Sequence, residues 1–193
     1  AATTHVVGVS LIRRTLWWPV GRDRVGVACV RMSDRNVVLT GFMGTGKSTV
    51  GRALADLLGR EFVDTDRVIE ERHGPIPTIF AEQGEGAFRR YERDVADELA
   101  DRDGLVIATG GRLMVDAVNA QRLGDTGHVV CLVASLDTIL RRVDVEGAGV
   151  TRPLLRGDDV RERVAALLAE RSDAYAAFPQ VSTDGGSPRD VAV

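Results

Sequence analysis

Lysine is almost missing from this sequence: of its 25 basic residues, only Lys47 is not an arginine. Where arginine serves at every other basic position, the surviving ammonium marks a place that needs a compact point charge. Cysteine is scarce as well. Cys29 and Cys131 cannot staple a chain of 193 residues into a disulfide scaffold, and this usage reads as cytoplasmic. Cys131, inside an apolar run, is expected to be a small buried hydrophobe. No stretch of about eighteen apolar residues occurs, which excludes a membrane-spanning helix, so no membrane partner is expected. Positive charge is not in excess either. The 25 basic and 28 acidic residues leave a net −3, which argues against a nucleic-acid partner held by phosphate contacts. His5, His73 and His128 are scattered without Cys or acidic partners at ligand spacing, so no zinc site is expected. What remains, 44% hydrophobic and 27% charged, is the composition of a globular domain of ordinary size.

The first 31 residues read differently from the rest. They hold Trp17, Trp18 and five arginines (Arg13, Arg14, Arg22, Arg24, Arg31) against a single acid, Asp23. The apolar Val6–Ile12 run has no basic flank before it, so it is no secretory signal. A targeting arm is one reading. The simpler one is a misassigned start upstream of Met32, with residues 1–31 poorly ordered and 32–193 forming one domain. From Asn36 onward short apolar strands (37–40, 62–64, 105–109, 129–133, 181–183) alternate with helical patterns at 48–58, 67–72, 87–100, 115–123, 136–143 and 160–175. This alternation predicts an α/β fold, a parallel five-stranded sheet flanked by helices. Ser187-Pro188-Arg189-Asp190 opens a last, short helix.

After the first strand stands Gly41-Phe-Met-Gly44-Thr45-Gly46-Lys47-Ser48-Thr49, a complete G-x-x-x-x-G-K-[ST] loop between strand and helix. Its glycines let backbone N–H groups turn on phosphates, and the helix N-terminus adds a favourable dipole. Lys47 would reach the outer phosphates and Ser48 would ligate Mg²⁺. The second strand ends in Asp64-Thr-Asp66, carboxylates at the edge where parallel sheets bind ligands. They are equally readable as an N-cap and a solvated first-turn acid. Arg89 and Glu92, three residues apart, read most simply as a surface ion pair. Arg171 falls in phase with the apolar stripe Val160, Val164, Leu168, Tyr175, as an arginine does when it snorkels or faces an anion in a cleft. Gly147-Ala-Gly149 before Arg152-Pro153 suggests a hinged, charged lid over about 144–158.

Together with Phe62-Val-Asp-Thr-Asp66, Ile79-Phe80-Ala81-Glu82, Gly84-Glu85, Phe88-Arg89, Thr109-Gly110-Gly111, Arg152-Pro-Leu-Leu155 and Glu170-Arg171, the loop resembles the shikimate kinase family from about Arg35 onward. The resemblance implies a nucleoside-monophosphate-kinase-like P-loop fold that transfers the γ-phosphoryl of ATP to the 3-hydroxyl of shikimate, with Mg²⁺, as a monomer. It implies catalytic roles for Lys47, Asp66 and Arg152, and Mg²⁺ held by Ser48 and, through water, by Asp64. ATP would lie on Gly41, Gly44, Thr45, Gly46, Lys47, Ser48 and Thr49, with adenine between Arg142 and Pro188. Shikimate would meet Asp66, Arg89, Glu92, Gly110, Gly111 and Arg171.

Two departures fall on the acceptor side. The family carries a third glycine where this chain has Arg112, which either points away from the pocket or enters it. In the second case it would block shikimate or recruit a different acid, so a sister kinase for another small hydroxy acid or cyclitol is the alternative. A non-catalytic nucleotide-binding protein is a third reading, opposed by the intact Lys47, Ser48, Asp64, Asp66 and Arg152. The second departure is His73-Gly-Pro-Ile-Pro77, a turn stiffened by two prolines.

Overall fold

The computed structural model describes residues 34–146 and 159–192. The expectations for residues 1–31, for Arg152 and for nearly all of the lid over about 144–158 lie outside the described residues. Strand β1 (Asn36–Thr40) is buried at all five positions, because it is the middle of the sheet. It pairs in parallel with β3 (Leu105–Ala108) on one side and with β4 (Gly127–Val133) on the other. β2 (Glu61–Asp64) adds beyond β3 and β5 (Gln180–Ser182) beyond β4, which completes the order β2-β3-β1-β4-β5.

Alternation along β1 feeds two cores. Val37 and Leu39 join Val106 and Leu132 beneath Val50 and Leu54 of helix α1 (Lys47–Leu58). Val38 turns the other way and joins Ile107, Ile69, Phe88, Val95 and Leu99. These last four come from α2 (Thr65–His73) and α4 (Gly84–Ala100). The third core gathers Phe42, Cys131, Ile139, Val143, Val164 and Tyr175 between the sheet, α6 (Leu136–Glu146) and α7 (Val160–Ala176). Cys131 is fully enclosed there as expected, and burial pushes its thiol up to about 11. The acidic run on α4 is a solvated face, with Asp97 and Asp101 paired to Arg122 of α5 (Ala117–Thr126) and Glu98 to Arg72. No helix among the described residues is long and apolar enough to cross a membrane.

Two elements differ from the sequence reading. The proline-rich turn is followed at once by a helix, α3 (Ile76–Glu82), with Pro75 just before it and Pro77 in its first turn. A proline there forfeits no intrahelical hydrogen bond, so it permits the helix that it would break further along. α4 begins at Gly84 rather than Ala87, because Gly84 and Gly86 conceal a helical first turn. The chain ends in α8 (Pro188–Ala192), where Ser187 and Asp190 cap each other's backbone N–H groups.

The chain leaves β1 toward β2 and, after β3, returns past β1 to β4. That reversal opens a crevice at the carboxyl end of β1, where ligands of such sheets bind. The other end is closed by Asn36. Its wholly buried amide donates to Leu99 O and Arg102 O and accepts from Leu105 N–H, at 3.1, 2.7 and 2.9 Å. Replacing it orphans three backbone groups. Asn36→Ala should therefore lower the unfolding free energy by about 2–3 kcal/mol, read as a reduced urea midpoint at unchanged slope.

Candidate active site

The loop after β1 cannot carry side chains where it turns. Gly41 sits at φ 133°, and a Cβ there would overlap the carbonyl oxygen of Leu132. Thr45 turns its hydroxyl inward to Phe42 O at 2.8 Å. Lys47 Nζ donates to the same carbonyl at 2.9 Å, so the ammonium lies folded across the loop. Gly46, the residue before α1, offers no side-chain cap, which leaves the first N–H groups of the helix for an anion. Thr49 is exposed on the first turn of α1.

Asp64 is the N-cap of the simpler reading and also meets the phosphate loop. One carboxylate oxygen caps α2 by accepting from Arg67 N–H at 3.5 Å, and the other accepts from Ser48 Oγ at 2.6 Å. A serine hydroxyl beside a carboxylate is a hard-oxygen pair that suits a cation keeping water and phosphate as its other ligands. Asp66 is not the solvated acid of the simpler reading. Its Oδ1 is enclosed and has no hydrogen-bond partner. Burial first, and the nearby Asp64 second, push its carboxyl up to about 6 against the pull of Lys47. Gly110 causes that enclosure: a Cβ there would overlap Asp66 Oδ1 and lie 3.4 Å from Glu92 Oε1. The Gly110 N–H donates to the buried Thr65 hydroxyl at 2.8 Å, which fixes the turn after β3 against α2.

Arg89 and Glu92 are not a surface pair. The Glu92 side chain is only 3% exposed and accepts from Arg89 Nη1 at 2.5 Å. Burial raises the Glu92 pKa, and the Arg89 guanidinium opposes that rise. The other edge of Arg89 holds Glu85 Oε1, at 2.8 Å from Nη2 and 3.2 Å from Nε. Arg171 comes from α7 and is buried, with its guanidinium 5.3 Å from the Phe42 ring and its Nε unpartnered. Tyr175, one turn further, donates its hydroxyl proton to Gly111 O at 2.6 Å. At Gly111 itself there is room: a Cβ would meet Arg171 Nη1 at an ordinary 3.7 Å.

Arg112 stands where the resemblance implies a third glycine. Its backbone is right-handed at φ −115°, so this position asks for no glycine. The side chain lies 43% exposed at the rim, with Nη1 3.8 Å from Glu85 Oε1. On the opposite side of the loop, Arg142 donates to Gly44 O at 3.2 Å and to Thr183 Oγ1 and O at 2.8 and 2.7 Å. That joins the phosphate loop to the segment leading to the exposed Pro188. Sequence reasoning gave no role to Glu85, Thr65 or Tyr175. The four-residue spacing of Glu85 before Arg89 was a usable signal; Thr65 and Tyr175 had none beyond a helical stripe.

The sequence model of the family described as "Shikimate kinase" matches residues 43–192. The shikimate kinase of Halorhodospira halophila is 47% identical over 159 residues, covering 81% of this chain and 88% of the relative. That of Geobacter sulfurreducens is 46% identical over 164 residues, covering 84% and 89%. The structure of shikimate kinase from Acinetobacter baumannii in complex with shikimate superposes with a TM-score of 0.76 at 40% identity, covering 83% of this chain and 89% of that one.

The enclosed Asp66 carries a stability signature. Its carboxyl titrates at about 6 in the fold and near the ordinary 3.8 when unfolded, so above both values the fold pays for an ionised buried acid. Without nucleotide or metal, Asp66→Asn should stabilise the protein by about 1–3 kcal/mol near pH 8, a gain that shrinks as pH falls through about 6 and vanishes near pH 4. Thermal unfolding across that range measures it, and a pH-independent effect would count against a desolvated carboxylate.

Proposed function

This chain belongs to the shikimate kinase family, and from that premise we propose how its residues divide the transfer of the γ-phosphoryl group of ATP to the 3-hydroxyl of shikimate. The observation that carries the assignment is the position of Asp66, whose enclosed carboxylate feels Lys47 of the phosphate loop and Glu92 of the arginine pair at once. An acid there can hold an acceptor hydroxyl between the phosphoryl donor and the arginines that bind the rest of the acceptor.

ATP lies with its phosphates on the backbone N–H groups of Gly41, Gly44, Thr45, Gly46, Lys47, Ser48 and Thr49, and with adenine between Arg142 and Pro188. Support comes from the uncapped start of α1 and from the Arg142 bridge to Gly44 and Thr183. Ser48 and Asp64 are the residues that would hold Mg²⁺, which when bound neutralises charge on the phosphate oxygens. Lys47 leaves the Phe42 carbonyl for the outer phosphates. Arg89 and Arg171 grip the shikimate carboxylate, an anion suited to planar guanidinium groups, while Glu92 orients Arg89. Gly110 and Gly111 give the ring a surface without side chains. Asp66 orients the 3-hydroxyl and takes its proton late, because phosphoryl transfer through a loose transition state needs placement more than a strong base. Arg152, outside the described residues, keeps the role that the family resemblance implies for it, adding positive charge to the transferring group.

A sister kinase for another acid is not favoured. The relatives at 47% and 46% identity are shikimate kinases.

Coupled measurement of ADP release, with and without shikimate, tests the assignment. Turnover should require shikimate. Lys47→Met should lower kcat by about a thousandfold or more, given the worth of one positioned donor to developing charge. Arg171→Lys should raise KM for shikimate by about one to two orders of magnitude at nearly unchanged KM for ATP, because an ammonium cannot reproduce a bidentate grip. Shikimate-independent turnover, or full activity in Lys47→Met, refutes the reading.

A further inference from the structure

The Nε and Nη2 edge of Arg89 is a planar fork, the shape that receives a carboxylate with two parallel hydrogen bonds. One of the chain's own carboxylates already occupies it: Glu85 Oε1, at 3.2 and 2.8 Å. Glu92 engages Nη1 of the same guanidinium from the buried side. Any acceptor carboxylate that takes this fork must first displace Glu85. The other residues of the first turn of α4, Gly84, Gly86 and Ala87, offer a displaced Glu85 no cation. Across the rim stands Arg112, whose Nη1 is 3.8 Å from the very oxygen that Arg89 holds.

Charge counting leads to the same place. Arg89 and Arg171 are balanced by Glu85 and Glu92, so these four groups are neutral together. An arriving carboxylate would make them net negative. Arg112 adds the cation that restores neutrality once the acceptor is bound. Its geometry suits that duty. The backbone is anchored on either side by Leu113 N–H to Gly110 O at 3.1 Å and Val115 N–H to Arg112 O at 3.0 Å, while the side chain stays 43% exposed.

We propose that Arg112 is a positioning residue for acceptor binding: it receives Glu85 when the acceptor carboxylate displaces that residue from Arg89. Glu85 thus acts as a placeholder that keeps the Arg89 fork aligned in the empty site, and Arg112 makes its release inexpensive. The exchange concerns acceptor binding alone and leaves phosphoryl transfer untouched. It rests on the reading of Arg89 as the carboxylate-binding arginine.

A double-mutant cycle on the full chain tests it, using Arg112→Ala, Glu85→Gln and the pair, with KM for shikimate, KM for ATP and kcat measured separately. Arg112→Ala should raise KM for shikimate about fivefold or more, with kcat and KM for ATP within about twofold of the parent. Arg112→Lys should recover most of the loss, since a cation suffices. In the Glu85→Gln background, where no competing carboxylate remains, Arg112→Ala should change KM by less than about twofold. An unchanged KM in Arg112→Ala overturns the proposal. An equal rise in both backgrounds overturns it too, because Arg112 would then touch the acceptor directly. If the parent shows no shikimate-dependent turnover, or if Arg89→Lys leaves KM for shikimate unchanged, the acceptor reading itself fails and takes the exchange with it. Matching thermal unfolding of the exposed-site variants separates all of these from misfolding.

Discussion

A bare stretch of backbone pressed against a carboxylate governs this site. At Gly110 there is no side chain, so the turn after β3 closes over Asp66 and shuts water away from one of its oxygens. The hydroxyl of Thr65 holds that turn by its N–H, and the hydroxyl of Tyr175 holds the next carbonyl from α7. Two helices far apart in sequence, α2 and α7, thereby converge on a single dipeptide, Gly110-Gly111. The proton affinity of Asp66, the reach of Arg171 and the seat of Glu92 all follow from how closely that dipeptide packs.

Such a site opposes stability. Asp66 and Glu92 both have raised proton affinities through burial, and an ionised acid away from water is offset only where a cation meets it. Glu92 has Arg89; Asp66 has the more distant pull of Lys47. The two apolar clusters on opposite faces of β1 offset the cost, since every residue of that strand is buried. The result is a polar crevice seated at the end of the central, wholly buried strand of the sheet.

The phosphate loop was legible in the sequence because its chemistry is local: nine consecutive residues carry it between a strand and a helix. The strands were legible from their apolar runs, and Arg171 from its phase on the α7 stripe. Whatever depended on contacts distant in sequence was not. Asp64 was ambiguous because capping and facing Ser48 are compatible, and only the meeting of α1 with β2 shows both. Arg89 and Glu92 read as a surface pair because spacing along a helix does not reveal which face is covered. Helix α3 was hidden by prolines whose effect reverses between the start and the middle of a helix. The departure at Arg112 looked large by residue type, yet its backbone angles never required glycine, which no sequence can display.

The central place of β1 also shapes how the chain must assemble. Val37 lies beside Val106 on one side and His128 on the other, so β1, the first of the described strands to be made, must await β3 for one neighbour and β4 for the other. During synthesis an apolar ribbon emerges early and waits, unpaired at both edges until β3 is made and open along one edge until β4 follows. Distant pairings of this kind slow folding, because each must close a long loop before it gains anything. The arrangement that shelters the phosphate loop at the heart of the finished sheet thus leaves its parent strand exposed longest on the way there, which makes the interval before β4 emerges the one in which a holding chaperone matters most.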